Sequence, residues 1–234
     1  MSYKSLYPNK KKVPSVLRLL FLSLTICSIF ALVFFLLKNG GSEPSVPKRP
    51  YLGDIPVVMI DPGHGGNDPG CVYGGVWEST VNLSIALEVK NELTALGCKV
   101  IMTRDGVDSI QTSQKIELAA SSGADILISI HQNSVPDDTV TSGIETFYNA
   151  DTNVLSAALA RCIQSALIEA SGAKDRGIKP DNKLILIREI PIPSCLVETG
   201  FMSSDTERAL LTDLNYQRKL AAAIASGIIK YFES

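Results

Sequence analysis

Histidine is nearly absent from this chain: its 234 residues include only His64 and His131, so any imidazole chemistry rests on those two. No CxxC spacing occurs among the five cysteines, which argues against a cysteine metal site. No internal repeat or low-complexity tract interrupts the body. Positive charge is scarce there too. Residues 1–50 hold eight Lys/Arg and one acid, leaving 14 basic against 23 acidic residues in 51–234. A body of that sign repels phosphates, so no nucleic-acid partner is expected. Apolar content of 45% excludes global disorder, and the length fits one domain with a short appendage.

Charge is missing altogether from Leu19 to Leu37, bracketed by Arg18 and Lys38. About 19 helical residues at roughly 1.5 Å each span the ~30 Å hydrocarbon layer. The cluster Lys10-Lys11-Lys12 lies upstream, which predicts a cytoplasmic N-terminus and an exported body. The expectation is a basic N-terminus over 1–18, a single-pass transmembrane signal anchor over 19–37, and a Gly/Ser/Pro linker over 38–54. A folded domain then fills 55–234. A cleaved signal peptide, giving a secreted body, is the alternative; its apolar core is usually shorter and ends in small residues. Cys71, Cys98, Cys162 and Cys195 lie in the body and allow two disulfides or buried thiols.

Short apolar runs alternate with helical periodicity. Val57–Ile60, Lys99–Met102, Ile126–Ile130, Gly143–Tyr148, Leu184–Ile187 and Cys195–Val197 read as strands. Helices are expected from an N-cap at Ser79 to about Leu96, over Thr112–Ser122, Thr152 to about Ala170, Ser203–Leu211 and Tyr216–Phe232. This alternation predicts an α/β fold with a mostly parallel sheet flanked by helices. Reactive groups in such folds gather beyond the carboxyl ends of the strands.

Both histidines follow strands, His64 in Asp61-Pro62-Gly63-His64-Gly65-Gly66 and His131 in Ser129-Ile130-His131-Gln132-Asn133. Glu78 opens the first long helix and can reach the same rim. Two imidazoles and one carboxylate are a known ligand set for catalytic Zn2+ with one open position. Zinc suits hydrolysis because it polarises an amide carbonyl and acidifies water. Glu198, after the apolar strand Cys195–Val197, is the candidate general base. Asp61 is positioned to accept the second ring N–H of a ligand histidine.

Together these segments resemble the zinc-dependent N-acetylmuramoyl-L-alanine amidases, the Amidase_3 family. The match runs through Ile60–Gly66, Glu78–Leu83, Thr103-Arg104, Ala124–Asn133, Arg176-Gly177 and Val197–Phe201, in family order. The resemblance implies a single domain with a roughly six-stranded sheet. It implies Zn2+ on His64, Glu78 and His131, and Glu198 as the catalytic carboxylate. The implied substrate is peptidoglycan, cut between the lactyl group of N-acetylmuramic acid and L-alanine. A membrane-anchored member without a wall-binding module is similar in layout to germination-specific spore-cortex amidases; vegetative wall remodelling is the other setting, and an activating protein partner is possible.

Three positions depart from the family pattern: Lys115 and Ala120 stand where an Arg and an Asn are usual, and Ser204 where an Asn is usual. Only Asp151 to Asp175 separates the fourth strand from Arg176-Gly177, room for one ordinary helix and no inhibitory insertion. Two other classes remain open: an amidase-fold protein that only binds or regulates, and a zinc peptidase cutting within the stem peptide.

Overall fold

The computed structural model describes residues 55–151 and 154–234. The expected segments 1–18, 19–37 and 38–54 therefore lie outside the described residues. In chain order the strands are β1 Val57–Pro62, β2 Val72–Tyr73, β3 Val76–Trp77, β4 Lys99–Met102, β5 Ile126–Asn133, β6 Ile144–Tyr148, β7 Asp175–Pro180 and β8 Ser194–Phe201. The helices are α1 Glu78–Ala95, α2 Thr112–Ser121, α3 Val154–Ser171, α4 Ile185–Glu189, α5 Asp205–Leu211 and α6 Leu214–Glu233.

Six strands form one sheet in the order β4-β1-β5-β8-β6-β7. β4, β1, β5 and β8 run parallel; β6 is antiparallel to β8 and β7 parallel to β6. Strand alternation divides the core in two. Val58, Ile60, Ile126, Ile128 and Val197 face α1, α3 and α6 in the larger core, whereas Met59 and Leu127 face α2 and α4 in a smaller one. Ile128 is wholly buried on the central strand, where truncation to Ala costs about 2–5 kcal/mol. α3 is long and apolar enough to cross a membrane by length and composition. Its Leu159, Ile163 and Leu167 are wholly buried against the sheet and α6, as befits a core helix.

Some elements differ from the sequence expectation. Leu184–Ile187 is the start of a helix, not a strand. Asp181 Oδ1 accepts from Lys183 N (2.6 Å) and Leu184 N (2.9 Å), and Arg188 N then donates to Leu184 O (3.0 Å). Four apolar residues carry too little periodicity to separate the two states. The sixth strand is instead β7, polar and confined to the sheet edge. Ser79 is not an N-cap: α1 begins at Glu78, and Glu78 N and Ser79 N donate to Cys71 O and Pro69 O, both at 3.0 Å. Loop carbonyls thus satisfy amides that a capping side chain would otherwise take. The loop carries the small hairpin β2–β3, which leaves Trp77 half-exposed directly before Glu78. None of the four body cysteines forms a disulfide.

Candidate active site

Topology brings the functional side chains to one rim. His131 and Glu198 are register partners on β5 and β8, and Glu198 is partnered on its other side by Glu145. Because β6 runs antiparallel, its first residues arrive where β5 and β8 end. Register partners share a sheet face, so His131, Glu198 and Glu145 form a row. His64 follows β1 and enters the row from the adjacent loop.

Glu78 is the hub. Its Oε1 lies 3.2 Å from His64 Nε2 and 3.0 Å from His131 Nδ1. The same oxygen accepts from Gln132 N and Asn82 Nδ2, and Oε2 accepts from Cys71 N at 3.0 Å. One ligand atom from each of His64, Glu78 and His131 falls within 4.8 Å of the others. Burial opposes ionisation of Glu78, but hydrogen bonds from His131 and His64 outweigh it and hold the carboxyl far below its ordinary range. The Glu78 hydrogen bond pushes His64 up to about 9; burial opposes this and Asp68 adds to it.

The loop carrying His64 is held in a costly shape. His64 has φ 61°, a left-handed conformation worth on the order of 1–3 kcal/mol of strain. Arg104 over-determines it. The buried guanidinium meets only carbonyls: Pro62 O, Gly63 O and Gly106 O at 3.0 Å and Ser79 O at 2.8 Å. One side chain thus ties the His64 loop to the first turn of the Glu78 helix. A Cβ on Gly63 would overlap the His131 ring, and one on Gly70 (φ +68°) would press on Glu78 and His64. Only glycine lets these backbones approach the cluster so closely.

Asp61 does not orient a histidine. Its carboxylate is taken by Lys115 Nζ (2.7 Å), Thr103 Oγ1 (2.6 Å) and Ser129 Oγ (2.8 Å), which together outweigh burial and hold it ionised. The partner of His64 Nδ1 is Asp68 Oδ2, at 2.7 Å. The sequence reading missed Asp68, though its position four residues after His64 was a usable cue. Lys115, standing where Arg is usual, makes the buried ion pair itself. Ser204 caps α5 by accepting from Glu207 N, and Ala120 is exposed.

Glu198 Oε2 is buried without a hydrogen-bond partner. Burial first, then the charges of Glu78 and Glu145, push this carboxyl up to about 8, with His64 partly offsetting them. Glu145 and Lys179 were not foreseen from the sequence, and Arg176 stood there only as part of a matching segment, without a role. Glu145 Oε2 accepts from Arg176 Nε (2.7 Å) and Lys179 Nζ (2.6 Å), and Oε1 accepts from Asn133 Nδ2. Burial opposes its ionisation, yet these hydrogen bonds keep its pKa low. Beside the histidines opens a cleft of about 580 Å³, reaching Lys183 at the head of α4.

An α/β domain with a His–Glu–His cluster and a carboxylate that keeps one oxygen buried and unpartnered on the same rim has the form of a hydrolase. Residues 58–230 match the family model described as N-acetylmuramoyl-L-alanine amidase. The chain belongs to that family, and the expected class, an amidase acting on peptidoglycan, stands. It is 34% identical to N-acetylmuramoyl-L-alanine amidase LytC of Bacillus subtilis over 79% of this chain, but spans only 37% of that protein. It is 32% identical to the germination-specific N-acetylmuramoyl-L-alanine amidase of B. subtilis, over 87% of this chain and 91% of that one. The solved CwlD amidase of Clostridioides difficile, in complex with the GerS lipoprotein, superposes with a TM-score of 0.70 at 34% identity, covering 76% of this chain and 98% of that one.

Proposed function

We propose that the chain is a zinc-dependent N-acetylmuramoyl-L-alanine amidase, with His64, Glu78 and His131 as metal ligands and Glu198 as the catalytic carboxylate. The carrying observation is the convergence of three donor atoms beside a buried Glu198 oxygen with no partner. The donor set fits zinc: two imidazole nitrogens, one carboxylate oxygen held ionised, and Asp68 fixing the His64 tautomer from behind. Zinc, when bound, supplies Lewis acidity at the amide carbonyl and lowers the pKa of water. The protein's own groups move the proton. Glu198, with an enclosed oxygen free of donors, accepts it from the attacking water and returns it to the L-alanine nitrogen as the carbonyl–nitrogen bond breaks. Glu145, kept ionised by Arg176 and Lys179, raises the proton affinity of Glu198 from the neighbouring strand.

The proposal extends to placement. Residues 19–37 anchor the chain in the membrane, 38–54 form the linker, and 55–234 act on the extracytoplasmic side; the uncharged run and the upstream lysines support this. Likeness to the germination-specific amidase over 91% of its length supports a spore-cortex setting. The CwlD–GerS complex supports an extracytoplasmic protein partner.

The test is product analysis. Zinc-loaded full chain in mild detergent, beside a chelator-treated control, is incubated with peptidoglycan and the products weighed by mass spectrometry. Stem peptides beginning at L-alanine, released only with metal, are expected. Fragments beginning inside the stem peptide would instead make the protein a peptidase.

A further inference from the structure

The cleft between α2 and α4 is lined by the candidate metal ligands His64 and His131 at one end and by Lys183. Its charges can be paired off one by one. Asp68 is bound to His64 and Lys115 to Asp61. Lys183 is exposed and makes no ion pair among the described residues, so it is the lining cation left with unspent charge. Its backbone is fixed, because Asp181 Oδ1 holds both Lys183 N and Leu184 N. Ile110, Leu186 and Leu196 give the cleft apolar walls. Such a surface suits a short peptide with small aliphatic side chains and one free carboxylate.

Resting on the amidase reading, we propose that this cleft seats the stem peptide and that Lys183 is a specificity residue. Its partner is the free α-carboxylate of the acidic residue that follows L-alanine. Amidation of that carboxylate removes the charge Lys183 pairs with, so the enzyme discriminates acid from amide stems. A half-solvated pair of this kind is worth roughly two- to fivefold in affinity.

Binding is measured by calorimetry on the zinc-loaded full chain, using free L-alanyl-D-isoglutamate and L-alanyl-D-isoglutamine stem peptides. The acid form should bind about two- to fivefold more tightly. Lys183→Ala should abolish the preference and Lys183→Glu invert it. Salt near 1 M, where the screening length is roughly 3 Å, should erase it. Equal binding of both peptides by the unaltered chain, or a preference that survives Lys183→Ala, overturns the proposal. Hydrolysis of matching muramoyl-peptides is scored separately. If neither is cut while the acid preference holds, the amidase reading falls and the Lys183 site stands; if both are cut with no preference in binding, the reverse is true.

Discussion

At the scale of single residues, chemistry and metal binding are separable. Glu198 touches none of the three donor atoms through a hydrogen bond, so Glu198→Ala should keep full zinc content and lose about 10²–10⁴-fold in turnover. Zinc stoichiometry and product release measured on one preparation decide this; an active variant removes Glu198 from the mechanism. His64 carries a proton up to about pH 9 in the metal-free chain, and a metal ligand must give it up. Zinc affinity should therefore weaken as pH falls below 9, with up to one proton released at His64. Calorimetry in buffers of different ionisation heat counts that proton. These residues were legible before the fold because each follows an apolar strand or opens a helix. Asp68 and Glu145 were not, nor was the role of Arg176, because these come from partners brought near by the loop shape and by the antiparallel β6.

At the scale of elements, the His64 loop and the start of α1 behave as one clasp. Arg104→Lys keeps the charge but loses the planar guanidinium, whose Nη2 bridges Gly63 O and Ser79 O while Nε and Nη1 hold Pro62 O and Gly106 O. Its zinc affinity should fall about 10–100-fold with the circular dichroism spectrum unchanged, as for other supports of a ligand shell. Gly63→Ala should be harsher: the new methyl displaces the His131 ring, so metal binding is lost while the helices remain. Element order could be read from periodicity because the buried strands are continuous apolar runs. It failed where local pattern was too short to carry a period, at α4, or where a strand is polar and paired on one side only, at β7. Ser79 misled for another reason. Its amide is satisfied by Pro69 O, a contact between the loop before the hairpin and the helix that no spacing rule contains.

At the scale of the molecule, proton binding links the site to stability. In the metal-free chain two groups of the site bind protons more tightly in the folded state than in the unfolded state: His64 between its ordinary 6.5 and about 9, and Glu198 between its ordinary 4.5 and about 8. The His64 contribution is complete below 6.5 and is lost as pH rises through 9. Above 4.5 the buried Glu198 carboxyl progressively costs stability until it ionises near 8. The melting temperature of chelator-treated protein should therefore decline from pH 6.5 to 9, and Glu198→Gln should make that decline shallower below 8 while leaving the share due to His64. Excess zinc should raise the melting temperature in a concentration-dependent way, since the ligand set is assembled only in the folded state. The overall architecture was foreseeable because parallel strands must be covered on both faces; the reversal at β6, which carries Glu145 to the rim, was not. The hairpin has a last, practical consequence. Trp77 is the sole tryptophan of the chain, half-exposed and directly before Glu78, so the protein carries a built-in fluorophore beside its candidate metal site. Its ultraviolet emission gives an unlabelled optical reporter, able to follow site occupancy in real time.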